Sequence, residues 1–218
     1  TVPPERGILL NQSRRMRPEI CGFISEAMYD GRLSSHPDAE LREIVTAAGA
    51  HPAIRPAGVV FLQAPHQGNT QSSSAEADAI AHLVAALCSQ SVRRKNGEVT
   101  PLELADILVV APYNMQVNLL RQRLPDDVKV GTIDKFQGQE APVVILSMTT
   151  SRGEDAPRGT AFLFNRNRFN VAISRAQCLA IVVHSGELLE GSWRRIDDLR
   201  RLNLLAHAAS VATHAAHS

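Results

Sequence analysis

The sequence predicts an α/β fold, a mostly parallel sheet with helices on both faces. Three observations predict it. The apolar runs "GVVFLQA", "DILVVAPY", "PVVILSMT" and "CLAIVVHS" are of strand length and continuous rather than alternating, as strands buried on both faces are. Amphipathic stretches of helical period lie between them. The two kinds of segment alternate along the chain, and no internal repeat interrupts them. With 218 residues, 44% of them hydrophobic, the chain has ample material for such a core.

The first helix is expected over 18 to 30. Pro18 suits its opening turn, Ile20, Phe23, Ile24, Ala27 and Met28 mark one face, and Gly31 stops it. A Pro-punctuated stretch then runs to residue 57, ahead of the strand "GVVFLQA". "HQGNTQSSS" reads as a loop, after which Ser73 and Glu76 form a capping box for a helix reaching Ser91. Its stripe is Ala77, Ile80, Ala81, Val84 and Leu87. "RRKNGEVTP" reads as a polar connection, and "DILVVAPY" as a buried strand. "NMQVNLLRQRL" is an amphipathic helix, "VKVGT" a short strand and "PVVILSMT" a buried one. "SRGEDAPRGTAF" is a polar loop, "NRNRFNVAISRA" a helix and "CLAIVVHS" the last strand.

The chain is expected to form one unit over 1–218, with an opening helix and loop over 1–57 and a helical, Ala/Leu-rich tail over 186–218. In such sheets ligands sit at the carboxyl ends of the strands. Those ends are "APYN", "VGTID", "SMTTSR" and "HSGE". The unusual polar residues are therefore expected along one edge. On the last helix Arg168 and Arg175 stand two turns apart with a drift of ~20°, so both are expected on one face amid Val171, Ala172, Ile173 and Ala176.

A net charge of +1 gives no global field to attract nucleic acid. Of the basic residues only Lys95, Lys129 and Lys135 are lysine. Arginine's planar fork suits phosphate and carboxylate, while a bias towards arginine codons accounts for the excess equally well; only position separates the two. Cys21, Cys88 and Cys178 form no C-x-x-C pair, which excludes a zinc ribbon and a disulfide framework and leaves buried free thiols. His207, His214 and His217 crowd the tail without carboxylates, so no metal site is expected. No run approaches the ~18 apolar residues of a membrane span, and the start lacks signal-peptide regions. A soluble, cytoplasmic chain that begins partway into a longer protein, with no membrane partner, is the expectation.

Nucleotide-hydrolysing domains hold phosphate with G-x-x-x-x-G-K-[ST]. This chain has no such segment, nor an apolar strand ending in adjacent acidic residues for Mg²⁺. Alone it is not expected to hydrolyse ATP. Four segments nevertheless stand in a telling order: "LNQSRRMRPEICGFISEAMYDGRL" over Leu10 to Leu33, "VVAPYNMQ", "VGTIDKFQGQE" and "RFNVAISRAQ". Together they resemble superfamily 1 helicases, in the branch of the nonsense-mediated-decay RNA helicase and the replication nuclease-helicase. Order and spacing agree over residues 7 to 185.

The resemblance implies a RecA-like lobe, the C-terminal one of a pair with ATP in the cleft between them; the N-terminal lobe would carry the phosphate loop and the Mg²⁺ ligands. It implies that Arg15 and Arg175 reach the β- and γ-phosphates, Arg175 as the finger of the "SRA" motif. Glu140 would accept from the ribose, with Gln137, Gly138 and Arg168 around the nucleotide. Arg14 stands where the family has a base-stacking aromatic, and Ser13 where it has glutamine, with Gln12 adjacent. For nucleic acid it points to Pro112, Tyr113, Asn114, Thr132 and Asn170. ATP and Mg²⁺ are thus expected in the full-length protein, none held tightly by this chain. The implied partners are single-stranded nucleic acid, DNA ahead of RNA, and the N-terminal lobe of the same protein.

Some residues admit two roles. Tyr113 serves either as a stacking platform or as a cap on the core at a strand end; Asn170 contacts nucleic acid or bonds backbone; Arg168 meets nucleotide or braces the lobe against an acid. Two other classes fit parts of the sequence. A metal nuclease would use Asp106, Asp127 and Lys129. A binding module would be a lobe that had lost catalysis, against which the joint presence of Arg15, Glu140 and Arg175 argues.

Overall fold

The computed structural model describes residues 11–136, 138–159, 162 and 165–188. In chain order the elements begin with β1 (Gln12–Ser13), α1 (Pro18–Tyr29), β2 (Ser34–Ser35), β3 (Glu43–Val45) and β4 (Gly58–Gln63). Next come α2 (Ser74–Leu87), β5 (Ser91–Arg93), β6 (Val99–Pro101), β7 (Ile107–Ala111) and α3 (Asn114–Arg123). β8 (Lys129–Thr132), β9 (Ala141–Ser147), α4 (Arg166–Ile173) and β10 (Ala176–His184) follow.

The central sheet has the order β4-β10-β9-β7-β8, and every neighbouring pair is parallel. Side chains on a strand alternate between faces, and here both faces are covered. Leu108 and Val110 of β7 join a core with Ile20, Phe23 and Ile24 of α1 and Phe169 and Ile173 of α4. Ile107 and Val109 join the opposite core with Ile80 and Val84 of α2 and Leu120 of α3. That double burial is why the strands read as continuous apolar runs. Truncating a side chain such as Ile145, fully buried in β9, is expected to cost about 2–5 kcal/mol.

The sequence misjudged several local features. "RRKNGEVTP" is a β-hairpin: β5 and β6 pair antiparallel, and β3 joins them in a second sheet of order β3-β5-β6. Gly97, at φ 82°, makes the tight turn, and the Asn96-Gly97 dipeptide was its signal. The flanking strands are only three residues each, too short for alternation to stand out. The helix predicted to Ser91 stops at Leu87, and Cys88 is exposed where a buried thiol was expected. Cys21 and Cys178 are buried, and burial pushes the Cys178 thiol up to about 12. Ser73 Oγ accepts the Glu76 N–H at 3.2 Å as predicted, but the Glu76 carboxylate turns inward rather than back to the cap. Gly186–Leu188 form one 3-10 turn; the rest of the predicted tail lies outside the described residues. Among the described residues no helix is long and apolar enough to cross a membrane.

Candidate nucleotide half-site and nucleic-acid pocket

Parallel strands share one carboxyl edge and one amino edge, and the candidate residues divide between the two. Arg15, Glu140 and Arg175 meet at the amino edge, from the turn before α1 and from the residues entering β9 and β10. The Arg15 Nε donates to the Glu140 carboxylate, and Nη1 donates to the Ser174 carbonyl at 3.2 Å. Gln177 Nε2 donates to the other Glu140 oxygen at 2.8 Å. Arg175 Nε donates to the Val171 carbonyl at 3.2 Å, and Nη1 to the Gln139 carbonyl at 3.4 Å. Gly138, at φ 86°, forms the left-handed turn that brings the chain back to Glu140. Gln137 lies outside the described residues.

The turn carrying Arg14 and Arg15 is fastened from three sides. Ser13 Oγ accepts the N–H groups of Arg15 and Met16, each at 3.3 Å, so the residue in place of the family's glutamine caps the turn. Arg42 Nη1 donates to the carbonyls of Arg14 at 3.2 Å and Arg15 at 2.9 Å. Arg17 N–H donates to the Gln177 carbonyl at 3.1 Å. The Arg14 side chain is left exposed. Sequence reasoning missed Arg42 and Gln177. Arg42 lies in a loop with no periodic signal, and Gln177 closes a motif whose weight falls on Arg175.

Electrostatics couple these groups. Burial alone would raise the Glu140 carboxyl, but hydrogen bonds from Arg15 and Gln177 and the attraction of Arg15 and Arg42 outweigh it and hold it below its ordinary value. Burial, and then repulsion from Arg15, lowers Arg175, while Glu140 acts the other way. An arginine so placed stays charged. Arg15 and Arg175 therefore both act on one ionised carboxylate, Glu140.

Pro112, Tyr113, Asn114 and Thr132 lie at the carboxyl ends of β7 and β8. They line a pocket of about 300 Å³ together with Gln71, Met115, Asp134, Arg158 and Arg168. Placing Arg168 here separates it from Arg175, contrary to the two-turn argument. α4 ends at Ile173 and Ser174 caps it, so Arg175 is no longer on the helix and turns with the chain towards β10. Arg168 instead stands 3.4 Å from Asp134. Tyr113 is only 5% exposed and packs on Phe162 with ring centroids 5.8 Å apart; it caps the core and offers no open face for a base. Burial raises its hydroxyl, with Thr150 and Arg158 opposing. Asn170 is not in the pocket: its Nδ2 donates to the Tyr29 hydroxyl at 3.1 Å, joining α4 to α1.

Beneath the same edge lies a buried polar network. Glu76, fully buried, accepts from Ser147 Oγ at 2.5 Å and Thr149 N–H at 2.9 Å. His66 Nε2 lies 2.9 Å from Glu76, and Nδ1 lies 2.7 Å from Ser151 Oγ. The order Ser151-His66-Glu76 mimics a hydrolase triad. Ser151, however, is fully buried and accepts the Asn69 N–H at 2.9 Å, so it is a brace and no accessible nucleophile. Gln116 extends the brace to α3, donating to Ser147 Oγ at 3.1 Å.

Residues 3–187 match the family described as an AAA domain. The chain is 30% identical over 195 residues to the putative helicase mov-10-B.1 of Danio rerio, covering 80% of this chain and 19% of that protein. It is 31% identical over 178 residues to the DNA-binding protein SMUBP-2 of Rattus norvegicus, covering 75% and 16%. The chain belongs to this AAA-domain family, as a C-terminal lobe of the superfamily 1 helicases. The lobe is also 42% identical over 92 residues to the human RNA helicase Mov10l1, covering 39% and 8%. It thus spans less than a fifth of the length of these relatives, at 19%, 16% and 8%. A solved structure, the C-terminal domain of a possible DNA helicase from Lactobacillus plantarum WCFS1, aligns over 81% of the lobe and 89% of that chain. Its sequence identity is 16% and its TM-score 0.45. The parallel sheet covered on both faces is the RecA-like arrangement expected of the lobe.

Proposed function

We propose that the lobe is the C-terminal half of a cytoplasmic, ATP-driven helicase or translocase, acting on single-stranded nucleic acid. One observation carries the proposal: Arg15, Glu140 and Arg175, from three separate segments, converge on a single exposed edge. Arg15 and Glu140 keep 32% and 40% of their side chains exposed, so a second lobe can reach them. In phosphoryl transfer, charge spreads over oxygens that preorganised cations stabilise, and a finger arginine contributes ~10³–10⁵ in rate. Arg175 and Arg15 fill that role, Glu140 accepts from the ribose hydroxyls, and Arg14 lies open towards the base.

Mg²⁺, when bound with ATP, neutralises charge on the β- and γ-phosphates; its protein ligands belong to the N-terminal lobe. The isolated lobe, holding half the ligands, neither hydrolyses ATP nor binds it tightly. Pro112, Asn114 and Thr132 at the opposite edge meet the nucleic-acid backbone, contacts that position without reading sequence. The names of the relatives include both an RNA helicase and a DNA-binding protein, so the proposal covers either polymer.

In the full-length protein, Arg175→Ala is expected to lower ATP turnover by ~10³ or more while single-stranded nucleic-acid binding persists. Unchanged turnover would overturn the motor reading and favour a non-catalytic binding module. The nuclease reading finds no support in the geometry. Asp106 gives both carboxylate oxygens to Arg94, at 2.9 and 2.8 Å, and is not free for a metal.

A further inference from the structure

We infer that Arg158 and Arg168 form a phosphate clamp on the backbone of the nucleic-acid strand, at the carboxyl edge of the sheet. The inference rests on the motor reading and adds a grip that the sequence motifs did not assign. Both guanidiniums lie over one ring: the Cζ atoms of Arg158 and Arg168 are 4.8 and 4.4 Å from the Phe162 centroid. The negative face of an aromatic ring attracts cations, so Phe162, backed by Tyr113, is a shelf that gathers two positive charges. Their only carboxylate neighbour in the pocket lining is Asp134, 73% exposed and 3.4 Å from Arg168. Among the described residues Arg158 pairs with no carboxylate. Arg15, Arg17, Arg94 and Arg152, by contrast, each hold an acidic partner within 3.0 Å.

The same wall carries further donors. Asn114 and Met115 open α3, whose N-cap residue Tyr113 makes no capping hydrogen bond, so the first-turn N–H groups lack a side-chain partner there. Gln71 and Thr132 complete the polar lining. Two cations, amide donors and one solvated acid select an anion. The pocket, about 300 Å³, is small beside most small-molecule sites, and the nucleotide residues lie at the opposite edge. A phosphodiester unit of a strand passing across the loops fits, with the 55% exposed Met115 at the rim as an apolar rest for a base.

The test uses the full-length protein and equal-length oligo-dT and oligo-rU, with binding followed by fluorescence anisotropy across a NaCl series. Arg158 is exposed, so Arg158→Ala is expected to melt at the temperature of the parent. Losing one phosphate contact should flatten the slope of log K against log[salt] by ~0.7, with severalfold weaker binding on whichever polymer the protein binds. Nucleotide affinity should not change, and Arg158→Lys should restore the slope. If the parent binds single strands but Arg158→Ala leaves slope and affinity intact, the clamp is wrong and the motor reading stands. If the parent binds neither polymer, the motor reading itself fails.

Discussion

The two edges of the sheet treat their charges in opposite ways. At the amino edge, Arg15 rests on Glu140 and the Ser174 carbonyl, and Arg175 rests on the carbonyls of Val171 and Gln139. Arg15, Glu140 and Arg175 each have partners from within the lobe. At the carboxyl edge, two guanidiniums crowd one ring, and among the described residues only Arg168 has an acidic partner, the solvated Asp134. Unpaired charge at an exposed site costs little in water, but it leaves a field that draws in a polyanion. On the proposed reading, the amino edge is a half-site that must stay satisfied until a second lobe arrives. The carboxyl edge is complete in itself and open.

The largest expected effect separates the edges outright. In the full-length protein, Arg15→Ala should cut ATP turnover by ~10³ or more and leave the salt slope of nucleic-acid binding untouched. Arg158→Ala should do the reverse. If Arg15→Ala also flattened the salt slope, the edges would not be separate sites and the comparison would collapse.

A second prediction concerns what holds the carboxyl edge in shape. Glu76→Leu would leave Ser147, the Thr149 N–H and His66 without their buried acceptor. Leaving buried polar groups without their hydrogen-bond partner costs about 1–3 kcal/mol for each, which urea denaturation would register. Hydrogen exchange should quicken first at 147–151, where Thr149 sits at φ 71°, unusual for a residue with a side chain. A loss below about 1 kcal/mol, the range of an ordinary surface change, would mean the network is not the brace of this edge.

The amino edge depends on a different device. Arg42 is the shared donor to the carbonyls of Arg14 and Arg15, so Arg42→Ala should let the turn drift while its side chains remain. Small misplacements near a reacting centre lower rates by up to ~10²-fold. The expected outcome is a fall in kcat of that order or less, with nucleic-acid binding unchanged. A variant with parental kcat would show that Ser13 and Arg17 suffice to hold the turn.

Much of the fold was legible in the sequence because burial on both faces makes β7, β9 and β10 into unbroken apolar runs. The β3-β5-β6 sheet was not, since three-residue strands show no period and their pairing is set by a turn. The site was legible as a set of residues but not as an arrangement. Motif order pointed to Arg15, Glu140 and Arg175 together, yet strand direction alone would have put every ligand at the carboxyl edge. Glu140 and Arg175 precede their strands and so fall at the amino edge, where Arg15 is held to Glu140 and the Ser174 carbonyl. Arg168 was misplaced for a local reason: helical periodicity was extended past Ile173, where the chain had already turned. Arg158 left no trace, lying in a polar loop where only the fold brings it over Phe162.

The smallest expected effect tests whether the amino edge merely rests on its ion pair. Arg15 and Glu140 are both well exposed, so solvent screening limits the pair to about 0–1 kcal/mol. The Glu140 carboxyl is held below its ordinary value of 4.5 because Arg15, Gln177 and Arg42 together outweigh the opposing effect of burial. A carboxyl lowered on folding stabilises the fold above its unfolded value, and that contribution fades as pH falls through the lowered one. Parent and Glu140→Gln should therefore differ by no more than about 1 kcal/mol at pH ~7. The two should converge as pH drops below the ordinary carboxylate range. A gap above about 2 kcal/mol at neutral pH, beyond what screened pairs give, would mean that the pair braces the lobe. Nucleotide binding would then have to break a structural contact, and the amino edge would be locked rather than waiting.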